Sequence, residues 1–509
     1  MGRKPTGPGL WERPHTKGYT WTTYPERLEA AGVTWKLYQG GTGEPGTPTD
    51  NYTDNSLEFF SAFHPEEGAD PDGPLMQKGV TDHTLKDLRD DVLAGRLAQV
   101  NWIVAPYKYC EHPEASPTDG AYYIHKVLEA LTADPQVWSR TVLFLNYDEN
   151  DGLFDHVIPP MPPASNGLGA QGMVSSDLAE SLPDEFIDLD LYPNEEHPLI
   201  PGHIDRGLQP IGLGPRVPMI IASPWTRGGW VCSETFDHTS VLRFLEVRFG
   251  VHEPNITAWR RSVCGDLTSA FDFSNAADPF PVSLSIPTRA VSKQKPYRVP
   301  AKQSIPVQET GDRPARALPY QFIVNGRSDG KQFWIHFENQ GKAAAAFQVQ
   351  DRVRFESAPR RYAVSSGTHL SDSWQPATRA SDYDLIVYGP NGFLRQFRGS
   401  ASDDALEVEI SYVAGQPALE LSINNHDKAS LLLTATEAYS GSNRKFSIPP
   451  GGTQQIWDAA ESHGWYDLSL STEDQFLRRF AGHIETGQPS VSDPALSAAF
   501  LPFAGMAVD

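Results

Sequence analysis

Residues 141–156 read TVLFLNYDENDGLFDH, an apolar run followed at once by a dense acidic turn. The run Thr141–Leu145 is nearly continuous in apolar residues, which is typical of a strand buried on both faces of a sheet. The acidic segment begins where that strand ends. Ligands of open α/β sheets bind at the carboxyl ends of the strands, so this stretch predicts both a fold class and the position of a site.

Similar patterns recur on both sides of this segment. Val100–Val104 and Val217–Ala222 are further apolar runs of strand length. Ala121–Ala133 and Thr239–Phe249 carry apolar residues at helical spacing. Strands that alternate with helices favour an α/β fold with a parallel sheet covered on both faces. We assign residues 1–282 to this domain.

A long acidic stretch rich in glycine and proline lies between Pro159 and Pro215. It is too long for an ordinary connection between two elements. We therefore expect a surface excursion close to the site.

The character of the chain changes after about Phe280. Residues 283–306 contain proline and lysine and are interpreted as a linker. Short alternating strands with frequent turns follow, a pattern typical of β-sandwiches. We divide them into two small all-β modules, residues 307–400 and 401–490, and expect residues 491–509 to form a tail.

The net charge and the absence of long apolar runs argue against nucleic-acid-binding and membrane-spanning proteins. The 509 residues include 42 basic and 64 acidic side chains, for a net charge of −22, so a nucleic-acid partner is not expected. A zwitterionic lipid surface is compatible with this charge. No apolar run is long enough to span a membrane. The sequence has three cysteines, of which Cys232 and Cys264 could form a disulfide or remain free thiols.

The acidic turn offers metal ligands. Adjacent carboxylates repel each other unless a cation neutralises them, so Asp148 and Glu149 are candidate ligands of a hard divalent metal ion. The alternative is a solvated acidic turn after a strand. Asp155 and His156, which follow closely in the sequence, favour the metal site over that alternative.

Two further segments carry histidines after or before predicted elements. Glu111 and His112 follow the strand Val100–Val104, and this histidine could donate to a phosphoryl oxygen or protonate a leaving group. Asp237 and His238 stand directly before a helix. A satisfied loop histidine and a helix N-cap are the structural alternatives for the two segments.

These segments, in this order, resemble those of the family that unites bacterial phospholipases C with respiratory-burst-inhibiting acid phosphatases, within the alkaline-phosphatase-like superfamily. The matching residues are Glu111-His112-Pro113, Tyr147–Gly152 with Phe154–Val157, Asp237–Ser240 with Leu242–Glu246, and Leu318–Tyr320, Val324–Gly326 and Phe333–Asn339. The acid-phosphatase branch typically has Asp-Asp followed by Gly-Gly at the acidic turn. The turn Asp148–Gly152 instead resembles that of the phosphocholine-specific phospholipases.

The resemblance implies an alkaline-phosphatase-like catalytic domain, incomplete at its N-terminus, and one catalytic divalent metal ion held in part by Asp148 and Glu149. It further implies cleavage of phosphatidylcholine, and possible action on sphingomyelin, at a membrane surface by a secreted or periplasmic enzyme. The catalytic candidates are Glu111, His112, Asp155, His156, Asp237 and His238. The alternatives are a phosphomonoesterase of the acid-phosphatase branch and a non-catalytic lipid-binding protein that uses the β-modules.

Other features of that family are absent from this sequence. The family has a Glu-Asn pair and an Arg-Ser-Phe-Asp-His run that supply further metal ligands, and a Thr or Ser nucleophile before Asn-Pro-Asn-Arg. None of these occurs here, and no signal peptide begins at Met1. The stretch Arg3–Trp11 resembles sequence that normally follows the nucleophile. We therefore expect the chain to begin downstream of its nucleophile and to have little activity by itself.

Overall fold

The structure is a computed structural model, and it describes most of the two regions predicted above. The described residues are 18–40, 54–113, 115–152, 155–164, 171–191, 206–274, 310–376, 382–401 and 405–497. The predicted linker 283–306 and most of the predicted tail lie outside these ranges. Among the described residues, no helix combines the length and the apolar character that crossing a bilayer requires.

The N-terminal region is mixed α/β, as predicted. Its elements are α1 (Tyr24–Ala30), β1 (Trp35–Gln39), α2 (Pro74–Gly79), α3 (Leu85–Leu93), β2 (Val100–Val104), α4 (Pro117–Leu131), α5 (Pro135–Trp138), β3 (Leu143–Asn146), β4 (Gly172–Val174), β5 (Phe186–Asp188), β6 (Leu208–Pro210), β7 (Met219–Ala222), α6 (Thr239–Phe249) and α7 (Ala258–Val263).

The C-terminal region is built almost entirely of strands. They are β8 (Pro314–Ala315), β9 (Phe322–Ser328), β10 (Phe333–Asn339), β11 (Ala345–Asp351), β12 (Arg360–Val364), β13 (His369–Trp374), β14 (Asp382–Tyr388), β15 (Leu394–Ser400), β16 (Leu406–Tyr412), β17 (Ala418–Asn425), β18 (Leu431–Glu437), β19 (Asn443–Ile448), β20 (Thr453–Asp458), β21 (Trp465–Ser471), β22 (Leu477–His483) and β23 (Ser490–Val491), followed by the short helix α8 (Pro494–Ser497).

The two helices predicted beside the site form, with clear local causes. Helix α6 has the predicted bounds, because Gly250 at φ +70° provides the left-handed residue that ends it. Helix α4 begins at Pro117 rather than at the predicted Ala121. Ser116 accepts a hydrogen bond from the Thr118 amide, and proline suits the first helical position.

The strands of the N-terminal region pair in two ways. β1 and β2 are parallel, with Gln39 opposite Val104 at their carboxyl ends. β3 and β7 are antiparallel, so the predicted parallel arrangement does not extend to this pair. Antiparallel neighbours need no crossover connection, so the chain between β3 and β7 is free to form the long excursion.

The excursion between Pro159 and Pro215 contributes a strand to the C-terminal sheet. Its strand β4 pairs in parallel with β12, with Gly172 opposite Arg361 and Val174 opposite Ala363. Gly172 is required there, because a Cβ on it would lie 1.8 Å from the Arg361 carbonyl oxygen. The excursion thus joins the N-terminal region to the C-terminal sheet.

The C-terminal strands form one continuous structure. A nine-stranded sheet has the order β19-β18-β21-β22-β15-β14-β11-β12-β4, and two three-stranded sheets, β13-β10-β9 and β16-β17-β20, complete it. Strands from both predicted modules share the large sheet through the pairing of β15 with β22. A single apolar core cluster also runs through both halves. The division at residue 400 remains a prediction about domain boundaries.

Two buried arginines connect the halves in a reciprocal way. Arg395 donates to the Tyr466 hydroxyl and to the Ala481 carbonyl, and Arg478 donates to the Tyr383 hydroxyl and the Arg398 carbonyl. Each arginine therefore reaches across β15 and β22 into the other half. Both side chains are almost fully buried.

We expect Arg478→Ala to lower the free energy of unfolding by about 3 kcal/mol, because it removes several buried hydrogen bonds and leaves a cavity. Urea denaturation of the whole chain would measure this. Arg398→Ala is the matched control, since that arginine is exposed, and we expect a change within about 0.5 kcal/mol. Equal effects of the two substitutions would contradict the structural role of Arg478.

Candidate functional site

The loops that follow β2 and β3 meet the start of α6 at one tyrosine. Tyr147, the first residue after β3, donates its hydroxyl proton to Oε2 of Glu111 at 3.1 Å. Its backbone carbonyl oxygen lies 2.9 Å from Nε2 of His238. The structure therefore brings together the three segments that the sequence marked as separate candidates.

The contact with Tyr147 defines the hydrogen-bonding state of His238. A carbonyl oxygen only accepts hydrogen bonds, so Nε2 of His238 carries the proton. In the neutral imidazole, Nδ1 then has the lone pair and can accept a proton. His238 is exposed at the start of α6, which leaves this ring accessible to a substrate.

Glu111 is held in an unusual backbone conformation. Its φ of +64° is in the left-handed region, which non-glycine residues rarely adopt. Its carboxylate packs onto the backbone of Gly120, where a Cβ would lie 2.0 Å from Oε1. Strain of this kind persists where surrounding contacts enforce it, and it often accompanies function. The neighbouring His112 is half-buried in the same loop.

Asp148 and Glu149 lie exposed at the end of β3. Oδ1 of Asp148 accepts the Glu149 amide at 3.0 Å. Within the described residues no Lys or Arg side chain forms an ion pair with either carboxylate. Carboxylate oxygens of this kind are the donors that hard divalent metal ions take. The described residues contain no group of three or more His, Cys, Asp or Glu side chains that could hold a metal ion, so the metal site stays a prediction.

Cys110 reveals a carboxylate that the sequence reasoning missed. Burial raises the pKa of the Cys110 thiol, and the negative charges of Asp54 and Asp148 add to that effect. Asp54 comes just before Asn55, whose side chain donates to Gln39 at the carboxyl end of β1. No local pattern in the sequence marks Asp54.

Asp155 forms an ion pair with Arg216, separate from the contacts that join Tyr147 to Glu111 and His238. Its carboxylate accepts hydrogen bonds from the Arg216 backbone and guanidinium, the shortest at 2.8 Å. These bonds from Arg216 hold the pKa of Asp155 well below its usual range. His156 is exposed beside it. The structure gives Asp155 an ion pair that joins the acidic turn to the segment before β7.

Asp237 supports the beginning of α6. Its Oδ1 accepts the backbone amide of Thr239 at 3.0 Å and the hydroxyl of the same residue at 2.6 Å, a local contact to the residue two positions on. Its Oδ2 accepts from the Arg260 guanidinium at 2.7 Å. Neither Arg216 nor Arg260 could be paired with its carboxylate from sequence patterns, because each partner is distant along the chain.

The cysteines are unpaired in this arrangement. Cys110, Cys232 and Cys264 are all free thiols. Burial raises the pKa of the Cys264 thiol well above its usual value. Of the two possibilities left open for Cys232 and Cys264, the structure has the free thiols.

Comparison with protein families gives two matches. Residues 7–252 match the Phosphoesterase family. Residues 314–400 and 406–483 match the family described as the bacterial phospholipase C, C-terminal domain. The second model thus matches twice, once in each half of the nine-stranded sheet.

Comparison with curated proteins extends the similarity over most of the chain. The chain is 45% identical to a non-hemolytic phospholipase C of Burkholderia pseudomallei, over 95% of this chain and 71% of that protein. It is 44% identical to the non-hemolytic phospholipase C of Pseudomonas aeruginosa, over 96% of this chain and 70% of that protein. Phospholipase C B of Mycobacterium tuberculosis is 37% identical over 59% of this chain and 56% of its own length.

We expect Asp155→Asn to lower the free energy of unfolding at pH 7 by about 1 kcal/mol, because Arg216 is largely exposed and its ion pair is screened. A carboxyl whose pKa is depressed on folding stabilises the protein above its unfolded pKa, and this contribution is lost as the pH falls through the folded pKa. The difference from wild type should therefore shrink below about pH 4. Urea denaturation at pH 7 and pH 3 would measure it.

Asp184→Asn serves as the control, since Asp184 is an exposed acid in the same acidic excursion. We expect its unfolding free energy to match wild type at both pH values. A constant difference between wild type and Asp155→Asn at pH 7 and pH 3 would contradict the role of this ion pair.

Proposed function

The chain belongs to the family of bacterial phospholipases C, and from that membership we propose that it cleaves phosphatidylcholine to diacylglycerol and phosphocholine. Members of this family are hydrolases that act on phosphodiester bonds. The observation that carries the proposal is the identity of about 45% across both the α/β region and the C-terminal strands. The resemblance of the acidic turn Asp148–Gly152 to phosphocholine-specific enzymes supports the choice of headgroup.

The chemistry of the site supports phosphoryl transfer. A divalent metal ion would be held by Asp148 and Glu149, and when bound it would offset the negative charge that develops on the phosphoryl oxygens. Further ligands are needed beyond this pair, because two carboxylates do not complete a coordination shell. The identity of the metal is left open in the proposal.

The histidines supply proton donors and acceptors beside the carboxylates. We assign His112 to the non-bridging phosphoryl oxygens, where a donated hydrogen bond stabilises developing charge. His238 is oriented by the Tyr147 carbonyl, so its Nδ1 is available to take or return a proton. Glu111 bonds the Tyr147 hydroxyl and so keeps the two loops at a constant separation.

Asp155, His156 and Asp237 have supporting parts in the proposal. Asp155 holds the acidic turn through Arg216, and Asp237 holds the start of α6. His156, exposed next to Asp155, is retained as a candidate hydrogen-bond donor to the substrate. We further propose a secreted or periplasmic location, where a membrane surface presents the phospholipid.

The substrate is tested by comparing a diester with a monoester. We expect any turnover that the chain supports to be at least about tenfold faster with p-nitrophenylphosphorylcholine than with p-nitrophenyl phosphate, because the site would bind the charged choline group as well as the phosphate. Calorimetric binding of phosphocholine and of inorganic phosphate provides a readout that does not depend on turnover. Preference for the monoester, together with tighter binding of inorganic phosphate, would favour a phosphomonoesterase instead.

The metal ligands are tested by removing charge from the acidic turn. We expect the double substitution Asp148→Asn with Glu149→Gln to weaken binding of Zn²⁺, Ca²⁺ or Mn²⁺ at least about tenfold, measured by calorimetry with each metal ion.

The matched control for this metal experiment is Glu473→Gln with Asp474→Asn. Glu473 and Asp474 are an exposed acidic pair in the turn that follows β21, so they share the charge and local setting but lie in the C-terminal region. We expect this control to leave metal affinity unchanged. An equal loss of affinity in both double variants would mean that the metal binds acidic turns non-specifically.

A further inference from the structure

Arg260 on helix α7 lies between two carboxylates from different parts of the chain. Its Nη2 donates to Oε2 of Glu185 at 2.5 Å, and its Nη1 donates to Oδ2 of Asp237 at 2.7 Å. The side chains of Glu185 and Asp237 are only 2% and 8% exposed. Buried carboxylates are costly unless they are paired, so each depends on this guanidinium.

Through Asp237, the ion pairs of Arg260 connect to the candidate site. Asp237 accepts the Thr239 amide at the start of α6, and the next residue, His238, contacts the Tyr147 carbonyl. Tyr147 immediately precedes Asp148. Asp237 thus lies one residue before the histidine that contacts the loop carrying the acidic pair.

Through Glu185, the ion pairs of Arg260 connect to the C-terminal domain. Glu185 belongs to the excursion whose strand β4 is the edge strand of the nine-stranded sheet. Just after β4, Ser175 Oγ accepts the Ser365 amide at 3.0 Å, and the Ser365 hydroxyl donates to Asp177 at 2.8 Å. The excursion is thereby attached to the residues that follow β12.

Apolar packing reinforces the same connection. Trp259, the residue before Arg260, is fully buried in a cluster with Leu178 of the excursion and Ala363 of β12. Three separate parts of the chain therefore share one small core around Arg260. A close-packed core deforms little, so a displacement of the C-terminal sheet would also move α7.

We propose that Arg260 is a positioning residue that sets the orientation of His238, and that the C-terminal domain is the anchor on which it depends. The proposal rests on the proposed function in assigning His238 to the reaction. Apart from that assignment, the proposal concerns only the contacts that hold these side chains in place. It gives the β-domain a part in forming the site, in addition to any binding of its own.

The test compares Arg260→Gln with Arg261→Gln in the whole chain. The two arginines are adjacent on α7, and Arg261 forms a comparable ion pair with Glu246 at 2.8 Å, away from Asp237. Imidazole nitrogen chemical shifts report the tautomer of His238, and amide hydrogen exchange reports the mobility of residues 146–150. Neither readout requires turnover, so a failed substrate assignment and a failed positioning role are distinguishable.

We expect Arg260→Gln to mix the two His238 tautomers and to speed amide exchange at residues 146–150 about tenfold, with Arg261→Gln close to wild type. Arg260→Lys should give an intermediate result, because a single ammonium group reproduces only part of the two-pronged contact. Any turnover of p-nitrophenylphosphorylcholine that the wild-type chain supports should fall about tenfold to a hundredfold in kcat, and KM should change less than about twofold.

Glu185→Gln keeps the shape of the side chain and provides the second variant if Arg260→Gln does not fold. It should change His238 in the same direction, although it lies in the excursion and contacts no site residue directly. Unchanged His238 signals in the folded variants would overturn the proposal. So would an equal change in Arg261→Gln, because the effect would then be a general loss of stability in α7.

Discussion

The arrangement of the site depends on the partly buried guanidinium of Arg260, which neutralises two carboxylates that would otherwise repel each other. An isolated charge in the interior costs several kcal/mol, so the pairing with Arg260 stabilises the buried side chains of Glu185 and Asp237. Because the two acids come from the excursion and from the start of α6, one electrostatic requirement holds two distant segments together.

The C-terminal domain follows a related principle without carboxylates. Arg395 and Arg478 are buried and donate to carbonyl oxygens and tyrosine hydroxyls of the opposite half. Their charge is dispersed over neutral acceptors and the faces of aromatic rings, among them Phe393 and Phe476. The same family model matches both halves, and the reciprocal contacts show how two similar units form a single sheet. A rigid sheet is a suitable anchor for the excursion.

Much of the local structure could be predicted from the residues. The run before the acidic turn forms β3, and α6 begins and ends where the apolar spacing and Gly250 indicate. The three segments with Glu111, Asp148 and His238 do meet, which follows from their places at element ends. The antiparallel pairing of β3 with β7 was not predicted, because strand direction depends on the path of the intervening chain and leaves no periodicity in the sequence.

The sequence by itself determined the family, the α/β and all-β regions, and the segments that carry the candidate chemistry, since these depend on neighbouring residues and their spacing. Only the tertiary structure decided which partner each charged side chain takes. Tyr147 finds Glu111 36 positions away, and Arg260 finds Glu185 75 positions away. The pair of Arg260 with Glu185 is selected by burial, where an unpaired charge is costly, and burial is a property of the folded chain as a whole.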